Sequence, residues 1–219
     1  MKNRTTTIDI ETLPASSDKN QDLLKTIKLS ETELSKTALN GDFGRILCIG
    51  FIDEKFDGRL NSGVIGWDEE IGEFNKTERE ILVEFWQMMS GFRPNYDRIV
   101  GHNIFDFDLR FILKRSRLHQ VKPSVDFSFA RYRNQPIYDT MYEWECWNFG
   151  TKISLDRLAK IFSLPSSKSE EINGSRIYEY FQSGNHQEIR DYCLEDVKLT
   201  REIFRRMTFT AQNCVNNKY

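Results

Sequence analysis

The sequence predicts one α/β domain, in which three strands in a hairpin series precede strand–helix units. Three observations carry that expectation. Short β-branched and apolar runs fill the first third and flank an Asp57-Gly58 turn. Helical periodicity marks three later stretches, 77–89, 109–118 and 186–207. The chain has 219 residues, enough for one substantial core, and neither a repeat nor a linker divides it.

Thr5 to Ile10 is β-branched and reads as a short strand closing on Asp9-Ile10-Glu11. A polar stretch, 13–44, follows, with one helical pattern in Leu23, Leu24, Ile27, Leu34 and Leu39. Insertions of this length are often lids or binding loops, so 13–44 is a candidate lid. Gly41 and Gly44 end it. Arg45 to Asp53 is a strong strand, and Leu60 to Trp67 returns antiparallel to it. Thr77 and Glu80 have the spacing of a capping box, opening a helix to Met89. Pro94 and Asn95 break the chain before a short apolar strand, Arg98 to His102. Leu109 to Leu118 reads as a helix, 123–136 as irregular and basic, and Ile137 to Asp139 as a last short strand. Helices are expected at Thr140–Trp147 and Ser154–Phe162, then a polar loop at Pro165–Gly174 and a turn at Gly184-Asn185. A long final helix spans His186–Met207.

A hydrophobic fraction of 39% with 29% charged residues is that of an ordinary globular protein. The four cysteines, at 48, 146, 193 and 214, form no CxxC pair, which argues against a disulfide scaffold or structural zinc. No apolar run reaches the ~18 residues of a membrane helix, and the polar N-terminus lacks a signal-peptide core, so a cytoplasmic location is expected. Net charge is −2, yet residues 110–133 hold seven Lys/Arg against the single acid Asp126. A local basic region inside an acidic chain suits an anionic polymer, and equally a solvated helix face.

Three small clusters carry chemistry. Asp9 and Glu11, at i and i+2 on a strand, project from one face, where two carboxylates repel unless a cation lies between them. Such pairs also occur on solvated strand edges. The second cluster, Gly101-His102-Asn103-Ile104-Phe105-Asp106-Phe107-Asp108, joins a strand to a helix. A carboxylate is favoured there by the helix dipole, and Asp106 or Asp108 also suits a helix cap. In the third, Tyr192 and Asp196 are one helical turn apart and share a face.

Taken in order, these clusters resemble the three motifs of the DEDD superfamily of 3′–5′ exonucleases. Those motifs are D-x-E on the first strand, N-x-x-x-F-D at a strand–helix junction and Y-x-x-x-D on a late helix. Asp9 and Glu11 match the first, Asn103, Phe107 and Asp108 the second, and Tyr192 and Asp196 the third, as in the tyrosine subgroup. The layout resembles stand-alone relatives of the exonuclease domain of family B DNA polymerases. The spacing from Asn103 selects Asp108 over Asp106, and His186 is misplaced for the histidine subgroup. His102 and His119 are expected to be packing or surface residues.

The resemblance implies an RNase H-like fold, a mixed sheet with helices on both sides, and one exonuclease domain over 1–219. It implies two divalent ions, Mg²⁺ or Mn²⁺, held by Asp9, Glu11, Asp108 and Asp196. Asp9 would bridge both ions, Glu11 and Asp196 would hold the one carrying the nucleophile, and Asp108 would help hold the second. Tyr192 would orient water or phosphate; an ordinary phenol, with a pKa of ~10, is a poor base at neutral pH. The expected partner is a single-stranded 3′ end, DNA by the polymerase likeness, released as nucleoside 5′-monophosphates. Asn103, Phe107, Phe105 and Leu13 are the substrate-contact candidates, since bases of single strands stack on aromatic rings. An exoribonuclease and a nucleic-acid-binding module without catalysis are the alternatives, the first separated by recognition of the 2′-OH.

Overall fold

A computed structural model describes residues 3–15, 31–148, 150–165 and 172–211. Leu23, Leu24, Ile27 and Cys214 lie outside these residues, as do 16–30 of the candidate lid and 166–171 of the 165–174 loop.

Among the described residues seven strands run in chain order: β1 (Thr5–Leu13), β2 (Arg45–Glu54), β3 (Leu60–Ile65), β4 (Trp67–Asp68), β5 (Glu73–Phe74), β6 (Arg98–Gly101) and β7 (Ile137–Asp139). Among the same residues seven α-helices accompany them: α1 (Glu31–Lys36), α2 (Glu78–Met88), α3 (Asp108–Leu118), α4 (Thr140–Trp144), α5 (Leu155–Ile161), α6 (Ile177–Gln182) and α7 (His186–Met207). The main sheet has the order β3-β2-β1-β6-β7. Its first three strands form the antiparallel meander; β6 and β7 then add in parallel beside β1. This is the mixed α/β architecture expected of an RNase H-like fold.

Alternation along β1 decides which side each residue serves. Ile8 and Ile10 enter the main core, which also holds Ile81, Leu82 and Phe85 of α2 and Phe111 of α3. Asp9 and Glu11 point the other way, opposite Gly50 and Cys48 in register, toward the face that α7 covers. α2 starts on a complete capping box between Thr77 and Glu80. The Trp86 indole donates to Ser116 Oγ at 2.8 Å and fixes α2 to α3.

Three details differ from the sequence expectation. The return strand stops at Ile65, because Gly66 takes φ +106° and turns the chain into a separate ribbon of β4 and β5. A Cβ at Gly66 would stand 2.8 Å from the Leu47 carbonyl oxygen, so only glycine fits this turn. The helix expected through Trp147 ends at Trp144, and Cys146 and Trp147 take φ of 49° and 60°. Ile177–Gln182 is helical where the sequence predicts no helix, since six residues are too few for periodicity to reveal, whereas helical Glu31–Lys36 contains Leu34 of the pattern read in 13–44.

Candidate active site

β1 pairs with β6 only from Thr5 to Thr7. Beyond Thr7 the two parallel strands separate, and β1 is left with unpaired backbone donors on that edge. The Ile10 N–H is taken up by Asp108 Oδ1 at 3.1 Å, from the first turn of α3. Asp108 therefore does not cap its own helix: the N-cap is Phe107, without a side-chain bond. It bridges two elements and is 3% exposed.

From the other side, α7 brings in Tyr192, Cys193 and Asp196, with Glu11, Tyr192 and Asp196 all buried. Gly50 sets how closely that helix approaches. A Cβ there would lie 2.7 Å from Cys193 Sγ and 2.9 Å from Val197 Cγ2. Any larger residue at 50 would lift α7 from the strand opposite Asp9. The structure thus gathers Asp9, Glu11, Asp108 and Asp196 with Tyr192 into one electrostatically interacting group.

The energetics of that group are unfavourable on its own. Burial pushes the Asp9 carboxyl well above its ordinary range, and Asp108, Asp196 and Glu11 push it further. Glu11 is raised likewise, by burial first and then by Cys48, Asp196 and Asp108. Asp108 is pushed up to about 7 by burial, with the Ile10 N–H working against the rise and Asp139 adding to it. Among the described residues neither Asp9, Glu11 nor Asp108 has an ion-pair partner. Buried like charges without a counterion are costly, and a divalent cation removes the cost. The donor set is carboxylate oxygen, which fits hard ions such as Mg²⁺ and Mn²⁺. Cys193 Sγ adds a soft atom nearby: ligand atoms of Asp9, Glu11 and Cys193 all lie within 4.8 Å of one another.

Tyr192 hydrogen-bonds Asp196, and burial followed by the Asp196, Glu11 and Asp9 charges drives its phenol far above the ordinary value. It stays protonated at any physiological pH.

The strand–helix junction is held by a residue that sequence reading missed. Asp139, 1% exposed at the end of β7, accepts from Asn103 N at 3.0 Å and Phe105 N at 2.9 Å. It also accepts from Met141 N and Tyr142 N, capping α4. Burial lifts its pKa to about 6 against these four backbone donors. Asn103 sits in the left-handed region at φ 61°, and its buried Oδ1 has no hydrogen-bond partner. The only sequence signal for Asp139 was its place before a helix start. Asp106, the other acid of the FDFD run, turns away to accept from the Tyr142 hydroxyl.

Two substrate-contact candidates are corrected by burial. Phe105 is 2% exposed and packed against Phe129, Tyr142 and Trp147. Leu13 is 0% exposed in a cluster with Leu47, Ile189 and Tyr192. Neither offers a face for a base. Phe107 is half-buried, its ring against Phe111, and Asn103 is half-buried. The basic segment is partly structural: Arg115 is bidentate on Glu78 and Lys114 pairs with Asp42. His102 bridges Thr140 and the Ile153 carbonyl, and His119 bonds Glu78, both as packing residues.

The chain matches, over residues 38–219, a protein family described as "Predicted 3′-5′ exonuclease related to the exonuclease domain of PolB". A search of curated proteins finds no match. The matched span includes Asp108, Tyr192 and Asp196 but begins after β1. Asp9 and Glu11 join that set through geometry.

Proposed function

Because the chain belongs to the family of predicted 3′–5′ exonucleases related to the exonuclease domain of PolB, we propose that it removes nucleotides from single-stranded DNA 3′ ends by a two-cation hydrolysis at Asp9, Glu11, Asp108 and Asp196. The observation that carries this reading is the convergence of acids, Glu11, Asp108 and Asp196 buried and Asp9 half-buried, with desolvation and mutual repulsion raising the pKa values of Asp9, Glu11 and Asp108. Divalent cations held there supply charge that makes water nucleophilic near neutral pH and stabilises the departing 3′ oxygen.

The protein's own groups do the positioning. Tyr192, protonated throughout, gives its one proton to Asp196 in the free protein; with substrate present it turns that proton to water or a phosphate oxygen, and it does not act as the base. Asp139 fixes the 103–105 turn from which Asp108 enters the site. Asn103 on that turn offers its unpartnered Oδ1 to the terminal nucleotide. Water attacks the last phosphodiester, the bond from phosphorus to O3′ breaks, the shortened chain keeps the 3′-hydroxyl, and a nucleoside 5′-monophosphate leaves.

Digestion of 5′-labelled single-stranded DNA, duplex DNA and RNA, each with Mg²⁺, Mn²⁺ or EDTA, tests the proposal. A ladder shortening from the 3′ end of the single strand, lost in EDTA, is expected. Faster digestion of RNA would reassign the substrate, and activity in EDTA would remove the cations from the mechanism.

A further inference from the structure

A cavity of about 610 Å³ opens where β1 ends and β2 begins, lined by Arg45, Lys76, Arg79, Phe43, Phe74 and Phe181 among others. Arg45 is the cross-strand partner of Leu13, two residues beyond Glu11. Two residues of strand are about 7 Å, so the cavity lies at the acid end of the sheet but outside the acid group.

Its charge is unbalanced. Glu78 is the acid on the wall, and its carboxylate is fully engaged by the Ile46 N–H, the Arg115 fork and His119. Lys76 is held by Glu84 at 2.7 Å. Arg45 and Arg79 have no carboxylate partner among the described residues. Arg45 Nε is moreover buried and has no acceptor among the described residues. A guanidinium without a carboxylate partner, half-buried on a cavity wall, is suited to an anionic oxygen on its terminal N–H groups. The aromatic lining narrows the kind of anion. Phe43, Phe74 and Phe181 are all half-buried, and the Arg45 guanidinium lies 5.8 Å from the Phe181 ring centroid. Phe181 is stacked on His186 at 5.0 Å and Phe74 packs against Trp67 and His186, so among the described residues Phe43 is the lining phenylalanine without a ring partner. Cationic forks beside such a ring match a phosphate carrying a flat heterocycle, and the volume falls in the range of small-molecule sites.

We propose that this cavity is a nucleotide subsite, with Arg45 and Arg79 on the 5′-phosphate and Phe43 against the base. It deepens the exonuclease reading and rests on it for the identity of the ligand. The unit bound is either the released mononucleotide or an internal nucleotide of the strand.

The test is calorimetric, on the full chain in EDTA at low salt, where no turnover occurs. The ligands are dAMP, deoxyribose 5-phosphate, inorganic phosphate and the tetranucleotide dT4. Saturable 1:1 binding of dAMP is expected, at least ~10-fold weaker in Arg45→Met, as for loss of a charged hydrogen bond. Phe43→Leu should weaken dAMP by ~5-fold or more and leave inorganic phosphate unchanged. Arg79→Ala, at an exposed position, repeats the phosphate test if Arg45→Met melts early. Tighter binding of dT4 than of dAMP would assign the subsite to the strand, and the reverse to the product. The proposal is overturned if dAMP does not bind, if it binds equally to wild type, Arg45→Met and Arg79→Ala, or if Asp9→Asn alone changes its binding. A protein that binds dAMP in this pattern yet digests no nucleic acid would keep the subsite and lose the exonuclease reading; active enzyme without dAMP binding would do the opposite.

Discussion

Arg4 and Asp9 stand five residues apart on one stretch of chain, each inside a buried cluster of charge. Around Arg4 the charges alternate. Its guanidinium donates to both Asp53 oxygens at 2.7 and 3.0 Å and to two backbone carbonyls, and its N–H reaches Asp97. Burial pushes Asp53 and Asp97 up, but hydrogen bonds from Arg4, Lys55 and Arg93 more than offset it, and both end below the ordinary carboxylate range. Around Asp9 the charges have one sign, and the same burial leaves the carboxyls raised. The first cluster is complete within the protein. The second is left with uncompensated charge, and under the proposed mechanism a cation from outside completes it, which would separate a structural charge network from a reactive one on the same stretch of chain.

The largest expected effect comes from removing a member of the incomplete cluster. Asp9→Ala should cut release of nucleoside monophosphates by at least ~10²–10³-fold, the scale on which single stabilising groups of a transition state are lost. The metal-free variant should melt no lower than wild type, since it loses a repulsion. Turnover within a few-fold of wild type in Asp9→Ala would sink the proposed role. In the complete cluster the same kind of deletion acts on the fold. Arg4→Met removes the guanidinium from buried Asp53, leaving it Lys55 and Thr6, and should cost ~1.5–3 kcal/mol in urea unfolding, while activity per folded molecule persists. If Arg4→Met were instead inactive and stable, the two clusters would not differ as argued.

The pH response sharpens the contrast, because the clusters pull in opposite directions. Asp108 is raised to about 7 in the folded protein, against ~3.9 in an unfolded chain. Between those values the native state holds a proton that the unfolded state has released. Its stabilising share is full below pH ~4 and is lost as pH rises through about 7. Asp53 and Asp97, which are lowered, give stability that is present above pH ~4 and lost only as pH falls below it. In EDTA the melting temperature should therefore rise as pH is taken from 8 to 5. Mg²⁺ or Mn²⁺ at 100 times its Kd should add ~2.7 kcal/mol, or roughly 5–10 °C, at pH 8. The gain should shrink toward pH 5 as protons compete for the same oxygens. A cation effect independent of pH would place binding away from these acids.

Much of the acid group was legible in the sequence because its members sit at fixed local spacings: i, i+2 on a strand, i, i+4 on a helix, and one strand–helix junction. The long amphipathic run of α7 and the hairpin of β2 and β3 were legible for the same reason. What escaped is what depends on approach between distant segments. Gly50 matters because Cys193 and Val197 press on it from 143 and 147 positions away. Asp139 matters because it bonds backbone N–H groups 34 and 36 residues back. Phe105 and Leu13 were misjudged for a related reason: nearness to an acid in sequence does not say which way a side chain points, and both point into the core. The FDFD run was resolved by spacing from Asn103, and the structure supplies the physical ground, since Asp108 faces Ile10 N while Asp106 is drawn off by Tyr142.

The smallest predicted change falls on the one uncharged member of the group. Tyr192→Phe keeps the ring within the cluster of Leu13, Leu47 and Ile189 and removes only the hydroxyl. If that hydroxyl orients water or phosphate, its loss is the loss of one hydrogen bond to a charged group, worth ~1.5–3 kcal/mol. Realised only in the transition state, that is ~10- to 150-fold in rate. The hydroxyl also bonds Asp196, so its removal leaves that carboxylate in place with one donor fewer, and cation affinity should change little. Asp196→Ala should behave differently, losing rate and cation binding together. Single-turnover rates and Mn²⁺ titrations on both variants make the comparison. Equal inactivation with loss of Mn²⁺ in both would make Tyr192 part of the cation site rather than a positioning group. An unchanged single-turnover rate in Tyr192→Phe would leave the hydroxyl only its structural bond to Asp196, and the chemical step would then rest on the four carboxylates alone.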